Sequence, residues 1–148
     1  MAMLTHVSAG WEIRPHSRDD HTDIERVFSD CLYDFPWRDA LKELEALHYS
    51  LRNASVLVAS EPQAGVVGFL ILHAGTRYVS HLFVERDWRL CGIAQGLLQV
   101  ARGVAGGPLQ LDVDTLNESA IATYRKLGWT EMVEHGRLGY RQTRFQGP

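Results

Sequence analysis

The spacing of apolar positions changes several times along this chain, and each change predicts an element. "WEIRP" (11–15) alternates apolar with polar and ends at proline, which predicts a short strand. In "SRDDHTDIERVFSDCL", Ile24, Val27, Phe28 and Leu32 recur at helical spacing behind polar capping residues, so an amphipathic helix follows. "YDFPW" breaks it at Pro36. Leu41, Leu44, Leu47 and Leu51 then repeat at core spacing and predict a second helix over 38–51. "ASVLVAS" and "GVVGFLILH" read as two strands across the turn "EPQAG", and "RYVSHLFV" as a third after "AGT".

The next stretch, "ERDWRLCGIAQGLL" (85–98), starts charged, passes through Gly92 and becomes apolar at helical spacing, predicting a helix over 91–102. "LQLDVDT" reads as a short buried strand. "NESAIATYRKLG" reads as a helix that Gly128 stops, and "WTEMVEHG" and "RLGYRQTRF" as two closing strands. The order is β-α-α-β-β-β-α-β-α-β-β. Hairpins followed by crossover helices predict a mixed α/β sheet with helices on both faces. The 148 residues show no repeat or linker, so one domain over 1–148 is expected.

Composition excludes several classes. The longest apolar runs fall short of a membrane span, and the N-terminus lacks the basic-then-apolar order of a signal peptide, so a cytoplasmic protein without a membrane partner is expected. The formal net charge of −3 argues against a nucleic-acid partner. Cys31 and Cys91 stand far apart, and His6, His16, His21, His48 and His135 are scattered without ligand spacing, so no metal site is expected.

The mouth of the third predicted helix carries candidate chemistry. The first N–H groups of a helix lack intrahelical partners and lie at the positive end of its dipole, so they can receive a phosphate. Gly92 and the small Ala94 leave room for its approach, and Arg89 adds a cation. By itself this pattern fits a plain strand-to-helix turn as well. The spacing Arg89-x-x-Gly92-x-Ala94 and the later Asn117, Ala120, Tyr124, Gly128 and Trp129 together resemble the two motifs of the GNAT superfamily of acyl-CoA N-acyltransferases, over nearly the whole chain.

The resemblance implies that fold, with a strand splayed from its neighbour, often at a β-bulge. It implies acetyl-CoA as cofactor and acetyl transfer, by direct attack in a ternary complex, to a primary amine: a small molecule, an antibiotic or a peptide N-terminus. A non-catalytic acyl-CoA sensor of the same fold is the alternative, and a homodimer is left open. Pantetheine is expected along Leu82, Phe83 and Val84, and pyrophosphate against Leu90, Cys91, Gly92, Ile93, Ala94 and Gln95 beside Arg89. Asn117 is expected to cap its helix and meet the cofactor, Tyr124 to act as the acid for the thiolate or pack in the core, and "YDFPW" to shape the acceptor pocket.

Only a neutral amine attacks a thioester, and with a reference pKa of about 10.4 roughly one lysine-type amine in 2,500 is neutral at pH 7. The site must therefore remove a proton. Strict alternation puts Tyr78, Ser80, Leu82 and Val84 on one face and Val79, His81 and Phe83 on the other. Ser80 then holds the place where the family often has a base, and His81 points away. His73 shares the Ser80 face if "AGTR" is a four-residue loop. Relay through solvent is the remaining route.

Overall fold

The computed structural model describes residues 4–6, 10–137 and 140–148. Its strands are β1 (Leu4–His6), β2 (Trp11–Pro15), β3 (Ser55–Glu61), β4 (Gly65–His73), β5 (Tyr78–Val84), β6 (Gln110–Asp114), β7 (Thr130–Arg137) and β8 (Tyr140–Gln146). Its α-helices are α1 (His21–Leu32), α2 (Ala40–Asn53), α3 (Ile93–Ala105) and α4 (Glu118–Lys126). The strands form one sheet in the order β1-β2-β3-β4-β5-β6-β8-β7. Neighbours run antiparallel, except that β5 and β6 are parallel.

The elements follow the predicted order, with β1 added as an edge strand on β2. Boundaries shift where a cap decides them. Asp39 accepts hydrogen bonds from the N–H groups of Leu41 and Lys42, so α2 begins at Ala40. Gly92 takes a left-handed conformation as the N-cap of α3, which delays that helix to Ile93. Leu138 and Gly139, inside the last predicted strand, and the His6 side chain lie outside the described residues.

Each face of the sheet buries its own core. On one face, Ile24, Val27 and Phe28 of α1 and Leu47 of α2 pack on Val58, Phe69 and Ile71. On the other, Leu97 and Ala101 of α3 pack with Trp11, Ile13, Leu57, Leu70, Leu72 and Phe145. Strand β4 is covered on both sides, which is why its sequence is a continuous apolar run. Helix α3 approaches the sheet closely because position 96 is glycine: a Cβ there would lie 2.8 Å from Ile13 Cδ1 and 2.9 Å from Trp11 Cη2.

Two irregularities in β5 shape the molecule. Its ladder to β6 holds only Tyr78↔Gln110 and Val79↔Leu111, while β6 stays paired to β8 as far as Asp114↔Gln142. The two parallel strands therefore separate beyond Val79. On the other edge of β5, Leu72 faces Val79 but Ile71 faces His81, so Ser80 is the extra residue of a β-bulge. The bulge breaks the expected alternation. Leu82 and Val84 pack with the α3 face, whereas His81 and Phe83 pack against Phe28 of α1. Ser80 bonds His81, so the two consecutive side chains meet on one face instead of pointing apart.

Candidate active site

The separation of β5 from β6 leaves a slot of about 850 Å³. Its floor is Leu82, Phe83 and Val84 of β5, one wall is the loop and first turn of α3, and the other is the first turns of α4. Glu85 N–H donates to the Val67 carbonyl, so period two directs the backbone of Phe83 toward β4 and that of Leu82 and Val84 toward the slot. The Val84 carbonyl already accepts from Arg89 Nε at 3.1 Å. Leu82 has its backbone on an edge that no strand covers among the described residues.

The loop entering α3 holds a left-handed conformation twice, at Leu90 (φ 66°) and Gly92 (φ 81°). The Leu90 side chain is fully exposed, and a non-glycine residue held in this conformation is a mark of functional loops. Trp11 Nε1 donates to the Cys91 carbonyl at 3.0 Å and anchors the loop to β2. The slot is lined by Leu90, Gly92, Ile93, Ala94 and Gln95, but not by Cys91 among the described residues. Arg89 lines it too, yet its guanidinium is engaged: Nη2 donates to Asp34 Oδ2 at 3.1 Å and sits 3.6 Å from Cys31 Sγ.

On the opposite wall, Asn117 caps α4 by accepting from Ala120 N–H at 3.2 Å while also lining the slot. Tyr124 lines it one face further on. Its ring packs 5.2 Å from Trp129 and 5.8 Å from Phe145, and burial pushes its phenol pKa up. Arg125 pairs with Glu131 and, like Lys126, does not line the slot among the described residues.

At its other end the slot reaches Asp34, Phe35 and Trp37, the aromatic loop between α1 and α2. Phe35 packs on Phe83 of β5 at 6.3 Å and on Trp37 at 5.6 Å. Trp37 Nε1 and Arg38 Nε both donate to Asp114 Oδ2 at 2.8 Å, and Arg38 Nη2 and Gln142 Nε2 donate to Oδ1. Burial alone would raise the Asp114 pKa; the hydrogen bonds from Arg38, Gln142 and Trp37 outweigh it and hold the group ionised. Asp112, one pleat away, is likewise held below the usual range against its burial by Arg144, His135 and Tyr78. Asp34 accepts from both Arg86 and Arg89. The carboxylates of this loop and of β6 are thus tied to arginines, so the loop attracts a cation less than its sequence suggests.

Of the base candidates, His73 pairs with Tyr78 across a four-residue loop, as one of the two expected registers requires. Its Nε2 lies 3.0 Å from Ser80 Oγ, and Ser80 Oγ lies 2.7 Å from His81 Nδ1. The structure therefore joins His73 and Ser80, and adds His81, which alternation had turned away. None of the three lines the slot among the described residues. Trp88, Leu98, Leu116 and Thr123 do line it and were not singled out in the sequence; for Trp88 the signal was its place directly before Arg89.

Comparison with known proteins gives this geometry its context. A family model for the acetyltransferase (GNAT) domain matches residues 52–131, more than half of the chain. The chain belongs to the GNAT acetyltransferases, a family of acyl-CoA-dependent acyltransferases. It is similar to apo-form YjaB from Escherichia coli, with a TM-score of 0.73 and 26% identity over 93% of this chain and 99% of that one. A GNAT-family acetyltransferase from Bacillus cereus (TM-score 0.72, 18% identity, 92% and 95% covered) and Ard1 from Thermoplasma volcanium (0.69, 20%, 93% and 96%) share the fold. A search of curated proteins found no match.

Proposed function

We propose that this protein is an N-acetyltransferase that moves an acetyl group from acetyl-CoA to a primary amine within a ternary complex. The observation that carries the reading is the slot itself. Along one line it places the uncovered backbone of Leu82, the left-handed loop at Leu90 and Gly92, and the first turn of α3. The Leu82 carbonyl and the Val84 N–H bind the pantetheine amides as an added strand would. The N–H groups of Ile93, Ala94 and Gln95 bind the pyrophosphate.

Transfer needs three further acts from the chain. The amine must lose a proton before it attacks. The oxyanion that forms on the thioester carbon needs a donor, which the Leu82 N–H supplies from the slot side of β5. The CoA thiolate must leave, and Tyr124, kept protonated by its burial, donates the proton. Phe35 and Trp37, at the far end of the slot, contact the acceptor. The unbridged thiols Cys31 and Cys91 suit a reducing, cytoplasmic setting.

The test is thiol release from acetyl-CoA over a panel of amines, peptides and aminoglycosides, paired with calorimetry of CoA binding. Binding together with amine-dependent thiol release is expected. Absence of binding overturns the reading, and binding without release from any amine turns it toward an acyl-CoA sensor.

A further inference from the structure

We propose that Ser80 joins His73 and His81 into a proton relay, which carries the acceptor amine's proton from the inner end of the line to the surface at the β4–β5 hairpin. The proposal rests on the N-acetyltransferase reading. It begins with the bulge. Without the extra residue, Ser80 and His81 would point to opposite faces; with it, Ser80 Oγ stands between the two rings, 3.0 Å from His73 Nε2 and 2.7 Å from His81 Nδ1.

The two ends of the line differ in the way a relay requires. His81 is 7% exposed, adjoins Leu82 and packs 6.3 Å from Phe83, both of which line the slot. His73 is half-buried and ends β4 at the turn, its ring 6.3 Å from Tyr78. Phe28 of α1 and Phe69 of β4 surround His81 without charge. The charges that bear on it are His73 and Arg38, and both oppose a proton there. Burial first, and then these two groups, bring its pKa down to about 4. At neutral pH His81 passes a proton on without holding it.

Because His81 does not line the slot among the described residues, a slot water takes the amine's proton and gives one of its own to His81 Nε2, so that one N–H bond breaks as another forms. His81 Nδ1 gives its proton to Ser80 Oγ, and the former Ser80 hydroxyl proton moves to His73 Nε2. His73 then releases its Nδ1 proton to water. One proton enters and one leaves, no other reactant is needed, and both rings, left as Nε2–H, return to Nδ1–H by exchange with water before the next turnover. This direction requires both rings to start as Nδ1–H tautomers. A hydroxyl that merely satisfied the two rings could instead accept from both, leaving His73 as Nε2–H and His81 as Nδ1–H.

Nitrogen NMR of histidine-labelled whole protein, at a pH where both rings are neutral, separates these cases. Two Nδ1–H rings are expected; any other pair of tautomers overturns the relay. This readout does not depend on turnover, so it stands apart from the thiol-release and CoA-binding tests of the transferase reading. Kinetics then test the bridge with isosteric variants. Ser80→Thr keeps the hydroxyl and should retain kcat within about threefold, whereas Ser80→Val should lower kcat about tenfold or more. CoA affinity should match wild type in both. Equal kcat in the two variants overturns the proposal, because a purely structural role would not distinguish them by the hydroxyl.

Discussion

At the scale of single residues, the proposed pyrophosphate site depends on what stands at position 92. Gly92 holds φ at 81°, which a side chain tolerates at a cost of about 1 kcal/mol, and a Cβ there would meet nothing nearer than Trp11 at 3.8 Å. A substitution therefore acts on the ligand more than on the fold. Gly92→Glu should keep the wild-type circular dichroism while abolishing CoA binding, since its carboxylate enters the pyrophosphate space with like charge. Wild-type affinity by calorimetry would remove the α3 mouth from the cofactor site. Tyr124 allows a similarly narrow test. Tyr124→Phe keeps the ring against Trp129 and Phe145 and removes only the phenol. Turnover should fall about 10²-fold with CoA affinity unchanged. If kcat is unchanged while chemistry limits the rate, Tyr124 is a packing residue.

At the scale of elements, the aromatic loop between α1 and α2 is tied to β6 by one buried carboxylate. Asp114 on β6 is 2% exposed and takes Trp37, Arg38 and Gln142 together. Asp114→Asn removes the closer of the two carboxylates on the mostly buried Arg38 guanidinium, leaving the longer pair to Glu43 at 3.7 Å, and should cost about 2 kcal/mol in urea unfolding. CoA affinity should hold, because Asp114 does not line the slot among the described residues. A loss under about 1 kcal/mol would mean that the loop is held by Phe35 packing on Phe83 instead. This clamp was hidden in the sequence, since nothing at 38 and 114 announces a pair 76 positions apart. The elements themselves were legible because period and caps are local: the helix faces, the strands and the α4 cap at Asn117 follow from near neighbours. The bulge at Ser80 was not. Its register depends on how β4 and β5 pair, and one extra residue reverses the faces of all that follows it. The motifs thus located the slot, while the line through His73, Ser80 and His81 needed the pairing.

For the whole molecule, the same buried histidine sets how stability depends on acidity. His81 titrates near 6.5 in the unfolded chain and near 4 in the folded one, so between those values the unfolded state binds a proton that the folded state refuses. Its contribution is complete above about pH 6.5 and is lost as pH falls toward 4, reaching about 3 kcal/mol over that window. His16, whose pKa burial also lowers, adds in the same direction, and Glu43, whose carboxyl burial raises, opposes it. Asp20 acts in a lower window: its hydrogen bonds from Arg14 bring its pKa down to about 2, so it stabilises above pH 3.8 and loses that below. His81→Phe separates the windows, because phenylalanine suits the cage of Phe28, Phe69 and Phe83 and cannot take a proton. Urea unfolding at a series of pH values should show wild type losing about 3 kcal/mol more than His81→Phe between pH 6.5 and 4, with parallel losses below that range. Equal losses in the upper window would mean that His81 takes up its proton in the folded state as readily as in the unfolded chain, and the ring would then store the amine's proton instead of passing it to Ser80.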